Sequence, residues 1–248
     1  MPENDKQQLL DLGIELNAPE EQPSKYERHR QRMAEQQANI SAEGRDIGSI
    51  PAVANPERRE KCRRDLQLFC ETYFPEIFYL PWSPLQLEAI NRLQTATLHG
   101  GKFAVAMPRG TGKSVLCERA AIWATVYGYR RFVVVVGSTD RTSRDSFKSI
   151  KTTFETNADL MDDFPEICYP VQMLEGIVNR VHGQTCLGER THITWGSNKI
   201  IFPTIAGSIA SGSIILGTSM SAHFRGLKHQ EASGDVTRPD FVLIDDPQ

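Results

Sequence analysis

AMPRGTGKSVL, residues 106–116, is the stretch on which the reading of this chain turns. It closes on Gly-Lys-Ser, as the phosphate-binding pattern G-x-x-x-x-G-K-[ST] does. The first glycine of that pattern is missing, because Met107 stands in its place, and Arg109 sits inside the loop. The apolar run FAVAM (103–107) predicts a short strand leading in, and KSVLCERAAIWATVYG predicts a helix leading out from Lys113. Between them lie Pro108, Arg109, Gly110, Thr111 and Gly112. Gly110 and Gly112 can take the backbone angles that turn N–H groups inward around phosphate oxygens. The following helix N-terminus favours an anion. In such a loop Lys113 reaches the β- and γ-phosphates and the Ser114 hydroxyl holds Mg²⁺. The plainer alternative is a glycine turn that only starts a helix.

A magnesium–nucleotide site also needs a carboxylate at the end of a neighbouring strand. FVLIDDPQ (241–248) supplies one, since four apolar residues run into Asp245 and Asp246. Asp245 is expected to bind Mg²⁺ through its water shell, and Asp246 to position or deprotonate an attacking water. Read alone, the same residues would be a strand ending in an Asp-Pro turn. Arg109 could stabilise charge developing on the γ-phosphoryl group from within its own chain, a task worth about 10³–10⁵ in rate where it falls to an arginine finger. It could equally pair with a nearby acid.

Outward from the loop, SPLQLEAINRLQTATL and DRTSRDSFKSIKTTFETN predict helices, and ERREKCRRDLQLFCETYF carries Leu66, Phe69, Cys70 and Tyr73 at helical spacing. RFVVVVGS (131–138), SIILGTS and FVLIDD predict strands, and THITWGSNKIIFPT a hairpin turning at Gly-Ser-Asn. Strands alternating with helices imply an α/β fold with a mainly parallel, doubly wound sheet. Residues 1–56 are polar and predict a mobile arm with one helix around YERHRQRMAEQQ, 57–101 a helical lead-in, and 102–248 the core.

The 248 residues are 40% hydrophobic and carry a formal net charge of -3, so any nucleic-acid contact must come from local patches. The five cysteines form no C-x-x-C pair, which argues against a zinc site or disulfide framework and fits a reducing, intracellular setting. The six histidines show no metal-ligand spacing. No apolar run approaches the roughly 18 residues of a membrane span, so no membrane partner is expected.

PRGTGKS, VVVVGST, FRGLKH and RPDFVLIDDP together resemble the ATPase domain of the large terminase subunit of tailed bacteriophages, over roughly residues 66–248. That resemblance implies a P-loop NTPase fold of the RecA-like, additional-strand type, in which an Arg-bearing loop often lacks the first glycine. It implies ATP and Mg²⁺ as ligands. The implied activity is a motor that drives double-stranded DNA through a portal protein into a procapsid, in the host bacterial cytoplasm. The implied partners are a small terminase subunit and further copies of the chain in a ring. Within WSPLQLEAINRL, Gln86 matches the family's adenine-reading glutamine. Arg225 in HFRGLKH matches an arginine that reaches the neighbouring subunit's ATP, with Arg238 a rival for that role. Asp246 stands where Glu is common. The family's coupling motif and its nuclease domain follow the acidic strand, so the chain is expected to be an N-terminal portion, with nuclease activity only in an absent C-terminal domain. A superfamily 2 helicase or translocase shares the loop, the Gln motif and the acidic strand end, although DDPQ stands where DE-x-[HD] is usual. A third reading is a nucleotide-binding fragment without motor activity.

Two basic groups complete the sequence picture. RREKCRR (58–64) could touch DNA or a small subunit, or form a solvated helix face. Arg141, Arg144, Lys148 and Lys151 fall near one helical face and could lie along a DNA backbone, or simply be solvated.

Overall fold

The computed structural model describes residues 26, 28–33, 46–222, 226–230 and 236–246. The chain divides into two compact units, Met1–Gly44 and Arg45–Gln248. In the first, residues 26 and 28–33 are helical, within the stretch read as a helix.

The second unit opens with helices α1 (Pro56–Lys61), α2 (Leu66–Tyr73), α3 (Pro84–His99) and α4 (Lys113–Val126). Strand β1 (Phe132–Gly137) follows, then α5 (Asp140–Thr156), α6 (Ala158–Asp163) and α7 (Pro165–Gln172). After a 3-10 turn at Val178–Val181 come the short strands β2 (Thr185–Cys186), β3 (Glu189–Arg190), β4 (Thr194–Trp195) and β5 (Lys199–Ile201). Strands β6 (Ile214–Ser219), β7 (His229–Gln230), β8 (Val236–Thr237) and β9 (Phe241–Ile244) complete the described elements.

One five-stranded sheet organises this unit, in the order β4-β5-β6-β1-β9. β1 lies between two parallel partners, with Val134 opposite Leu216 on one side and Val242 on the other. The β4–β5 hairpin extends the sheet in antiparallel fashion from β6, turning where Gly-Ser-Asn occurs. The architecture is therefore mixed α/β, with three parallel strands, β6, β1 and β9, forming one side of the sheet.

The alternation of β1 shows what covers each face. Val133 and Val135 join Ile215, Phe241 and Leu243 in the large core with residues of α4 and α5. Phe132, Val134, Val136 and Ile214 point the other way and pack with Ile201, Leu216 and Leu227. α4 and α5 pack on the first face, and among the described residues the second cluster includes no helical residue. At Gly217 α5 packs close against β6: a Cβ there would lie 2.9 Å from the Phe147 ring.

Helix starts follow local chemistry. Asn55, Asp65 and Asn157 accept from the backbone N–H groups of Arg58, Leu68 and Leu160. Ser83 with Gln86, and Thr139 with Thr142, form reciprocal capping boxes at α3 and α5. The expected helical run at 57–74 is two helices, because Asp65 caps a new one after a turn.

The segment 103–107 departs from expectation and forms no strand. A strand exists only by pairing, and the Ala104 carbonyl accepts from the Arg92 guanidinium instead, at 2.7 Å. Phe103 and Val105 stay exposed, and only Met107 enters the core. Met107 thus anchors the loop that follows it.

The cluster 58–64 is not a free basic face. Arg58 donates to Asp163 and Asp159, Arg59 to Glu166, and Arg63 to Glu60. The pairs of Arg58 and Arg59 fasten α1 onto α6 and α7, while Lys61 and Arg64 stay exposed. All five cysteines are free thiols. Among the described residues no helix is long and apolar enough to cross a membrane.

Candidate functional site

Three parallel strands end along one edge of the sheet. Beyond β1 the chain runs into α5, and Met220 N–H, just past β6, returns to Gly137 O at 3.0 Å. Asp245, just past β9, donates its backbone N–H to Val136 O at 2.8 Å. The carboxyl ends of parallel strands are where open α/β sheets bind ligands. Polar groups collect here: Ser219 Oγ donates to the Asp140 carboxylate and lies 2.8 Å from Ser221 Oγ.

The loop 108–112 leads directly into α4. Gly110 and Gly112 have φ of 79° and 82°, in the left-handed region. A Cβ at either would meet nothing within 4 Å, so glycine is favoured there by backbone conformation and not by crowding. The Thr111 hydroxyl donates to Pro108 O at 2.7 Å and tightens the turn. No side chain caps α4, and its ladder begins with Leu116 N–H donating to Gly112 O. The N–H groups of Lys113, Ser114 and Val115 therefore precede the ladder, as orphan donors at the positive end of a 14-residue helix. α1, α2, α3, α5 and α6 each have a capping side chain, and α7 has a proline in its first turn.

The acidic strand end lies close enough to this helix, whose first residue is Lys113, to act on its Cys117. Cys117, one turn into α4, is pushed up to about 12 by burial, with the nearby negative charges of Asp245 and Glu118 raising it further and Lys113 opposing them. Glu118 is likewise raised, first by burial, while Ser149, Arg119 and Ser146 favour its charge and Asp245 disfavours it. Lys113 and Asp245, 132 positions apart in sequence, thus both act on Cys117. Sequence reasoning missed Glu118. It lies in an ordinary helical run, and only packing shows that it is buried and bonded to Ser149 at 2.6 Å.

The remaining expected residues fall as follows. Pro108, Arg109, Gly110 and Ser114 are exposed, and Thr111, Gly112 and Lys113 are half-buried. Arg109 has no ion-pair partner among the described residues. Asp246, the last described residue, takes a left-handed φ of 51°. Gln86, on α3, donates from Nε2 to Thr111 O at 3.1 Å, so it touches the loop itself. Arg225 lies outside the described residues. Arg238 is exposed, and the Asp240 carboxylate beside it accepts from the backbone N–H groups of Arg131 and Phe132.

The α5 stripe is divided. Arg141, Arg144 and Lys148 are exposed, but Lys151 turns inward to the carbonyls of Trp195 and Gly196 and over the Trp195 ring. Burial lowers the Lys151 pKa. A cavity of about 200 Å³ is lined by Asn55, Arg58, Lys61, Cys62 and Thr72, on α1, α2 and their approaches, with no residue of the loop in its wall. Among the described residues no group of three or more His, Cys, Asp or Glu side chains could hold a metal by itself. Magnesium bound with a nucleotide needs fewer protein ligands, since phosphates and waters supply the rest.

Compared with family models, with curated proteins and with solved structures, the chain finds no match in any of the three.

Proposed function

We propose that the chain binds and hydrolyses ATP at the junction of loop 108–112, α4 and the end of β9, in a P-loop type of site. One observation carries the reading. An uncapped helix that opens on Lys113, with orphan N–H donors, follows a glycine loop, and Asp245 stands at the carboxyl end of β9 beside β1. The donors and Lys113 suit phosphate oxygens, and Ser114 and Asp245 suit a hard cation. When bound there, Mg²⁺ would neutralise charge on the β- and γ-phosphates. Asp246, just past the strand end, is proposed to orient and deprotonate the attacking water. Arg109, without a carboxylate partner, is proposed to stabilise the charge that develops on the γ-phosphoryl group.

The resemblance in sequence extends this to the motor domain of a phage large terminase subunit, translocating double-stranded DNA into a procapsid. Arg225 is then proposed to complete the ATP site of an adjacent copy in a ring. Calorimetric titration with Mg·ATP and measurement of phosphate release, with and without double-stranded DNA, test the two levels separately. Binding and turnover that Lys113→Ala removes support the nucleotide site, and stimulation by duplex DNA supports the motor. A wild-type chain that binds no Mg·ATP at millimolar concentration refutes both.

A further inference from the structure

The Gln86 amide is committed within the protein. Its Oε1 accepts from Ser83 N–H at 2.9 Å and from Ser83 Oγ at 3.0 Å, which occupies both lone pairs of an amide oxygen. Its Nε2 donates to Thr111 O at 3.1 Å, leaving one N–H. Reading an adenine edge with both a donor and an acceptor would require the α3 capping box to open.

The bond to Thr111 has a mechanical consequence. The described chain contains no cis peptide, and in a planar trans peptide the C=O and the following N–H point in opposite directions. Holding Thr111 O toward α3 therefore aims Gly112 N–H away from α3. Glycine at 110 and 112 imposes little preference of its own, so this peptide is free to flip unless something holds it. The same helix braces the approach to the loop, where Arg92, paired with Glu88, donates to Ala104 O at 2.7 Å.

Resting on the nucleotide reading above, we propose that Gln86 is a positioning residue that fixes the Thr111–Gly112 peptide for phosphate binding. Arg92 is the second brace, and the site discriminates only weakly among nucleobases. α3 acts through the loop on the phosphates, which every nucleoside triphosphate shares.

The test measures equilibrium binding of inorganic tripolyphosphate, Mg·ATP and Mg·GTP to the chain and to its Gln86→Ala, Arg92→Ala, Ser83→Ala and Lys113→Ala variants. Gln86→Ala is expected to weaken all three ligands by one common factor, roughly 2- to 12-fold, the worth of a single hydrogen bond. Arg92→Ala, on a more exposed face, should act in the same sense. Ser83→Ala removes one bond to Oε1 but leaves the Gln86–Thr111 bond, and should leave all three affinities within about twofold of wild type. Wild-type ATP and GTP affinities should agree within about tenfold, a gap of 1.4 kcal/mol. If Gln86→Ala weakens ATP while tripolyphosphate binds as before, Gln86 reads the base and the proposal is overturned. Unchanged binding of all three ligands overturns it as well. Should Gln86→Ala not fold, Gln86→Met keeps the side-chain length without the amide and carries the same expectation. A wild-type chain that binds neither tripolyphosphate nor ATP defeats the nucleotide reading itself, and this proposal with it. Binding that is intact in wild type and lost in Lys113→Ala, yet indifferent to Gln86, defeats this proposal alone.

Discussion

Asp163 is the residue whose removal should cost the fold most for its size. Its carboxylate is fully buried and accepts from Arg58 Nε at 2.6 Å, Arg58 Nη2 at 3.0 Å and the Tyr73 hydroxyl at 2.6 Å. Asp163→Ala leaves the Tyr73 hydroxyl, on a residue only 1% exposed, without its acceptor. An orphaned buried donor costs about 1–3 kcal/mol. Breaking a buried ion pair costs about 3–5 kcal/mol, but here the penalty is reduced. The Arg58 side chain is 25% exposed and keeps Asp159 at 2.6 Å, so about 2 kcal/mol is the reasonable share. Together these give about 4 kcal/mol, or a fall in Tm of about 8–16 °C for a domain of this size. Urea unfolding followed by tryptophan fluorescence reports it, since Trp123 is fully buried and donates to Cys62 O just beyond α1. Asp159→Ala is the control. Its side chain is 47% exposed, and its loss should cost under about 1 kcal/mol. Tyr73→Phe added to Asp163→Ala should recover about 1 kcal/mol by removing the orphaned hydroxyl. If Asp163→Ala costs less than about 1 kcal/mol, or no more than Asp159→Ala, the burial argument is wrong.

Lys113→Ala should weaken Mg·ATP binding by about 10- to 150-fold, the value of a charge-assisted contact, and remove turnover; titration calorimetry and phosphate release check both. Asp246→Asn should keep Mg·ATP affinity while slowing hydrolysis by about 10²–10⁴. Asp245→Asn should instead weaken magnesium-dependent binding, and the opposite pattern in titrations would reverse the two roles. Arg109→Ala should lower the turnover of bound ATP by about 10³ or more while changing affinity by less than about tenfold; single-turnover kinetics separate the two. The Asp46 carboxylate is held below its ordinary value of 3.8, chiefly by N–H groups of Gly48 and Gly188. Its contribution to stability is therefore present above pH 3.8 and lost as pH falls through the lower folded value. Asp46→Asn should be less stable than wild type at neutral pH, and the two should converge in acid-unfolding curves below pH 3.8.

What the amino-acid order by itself determined are the features that depend on near neighbours. Ser83 three residues before Gln86 and Thr139 three before Thr142 mark the starts of α3 and α5, because a cap is satisfied within one turn. The apolar runs of β1, β6 and β9, and the turn between β4 and β5, were legible for the same reason. So was the glycine loop ahead of α4, whose backbone needs are local. Only the tertiary structure decided matters in which the partner lies far along the chain. The arginines at 58 and 59 resemble a nucleic-acid patch until α6 and α7 bring Asp163 and Glu166 against them. Lys151 belongs to the same helical stripe as Arg144 and Lys148 until the β4–β5 turn offers it two carbonyls. FAVAM has the composition of a strand, but a strand needs a ladder, and its Ala104 carbonyl is held by Arg92. Gln86 resembles an adenine-reading glutamine in sequence until the fold brings Thr111 O to its amide. Asp245 came close enough to α4 to act on Cys117 because β1 aligns β9 in parallel while α4 packs on that sheet. That long-range geometry, set by burial of the shared core, is what composition and spacing cannot encode.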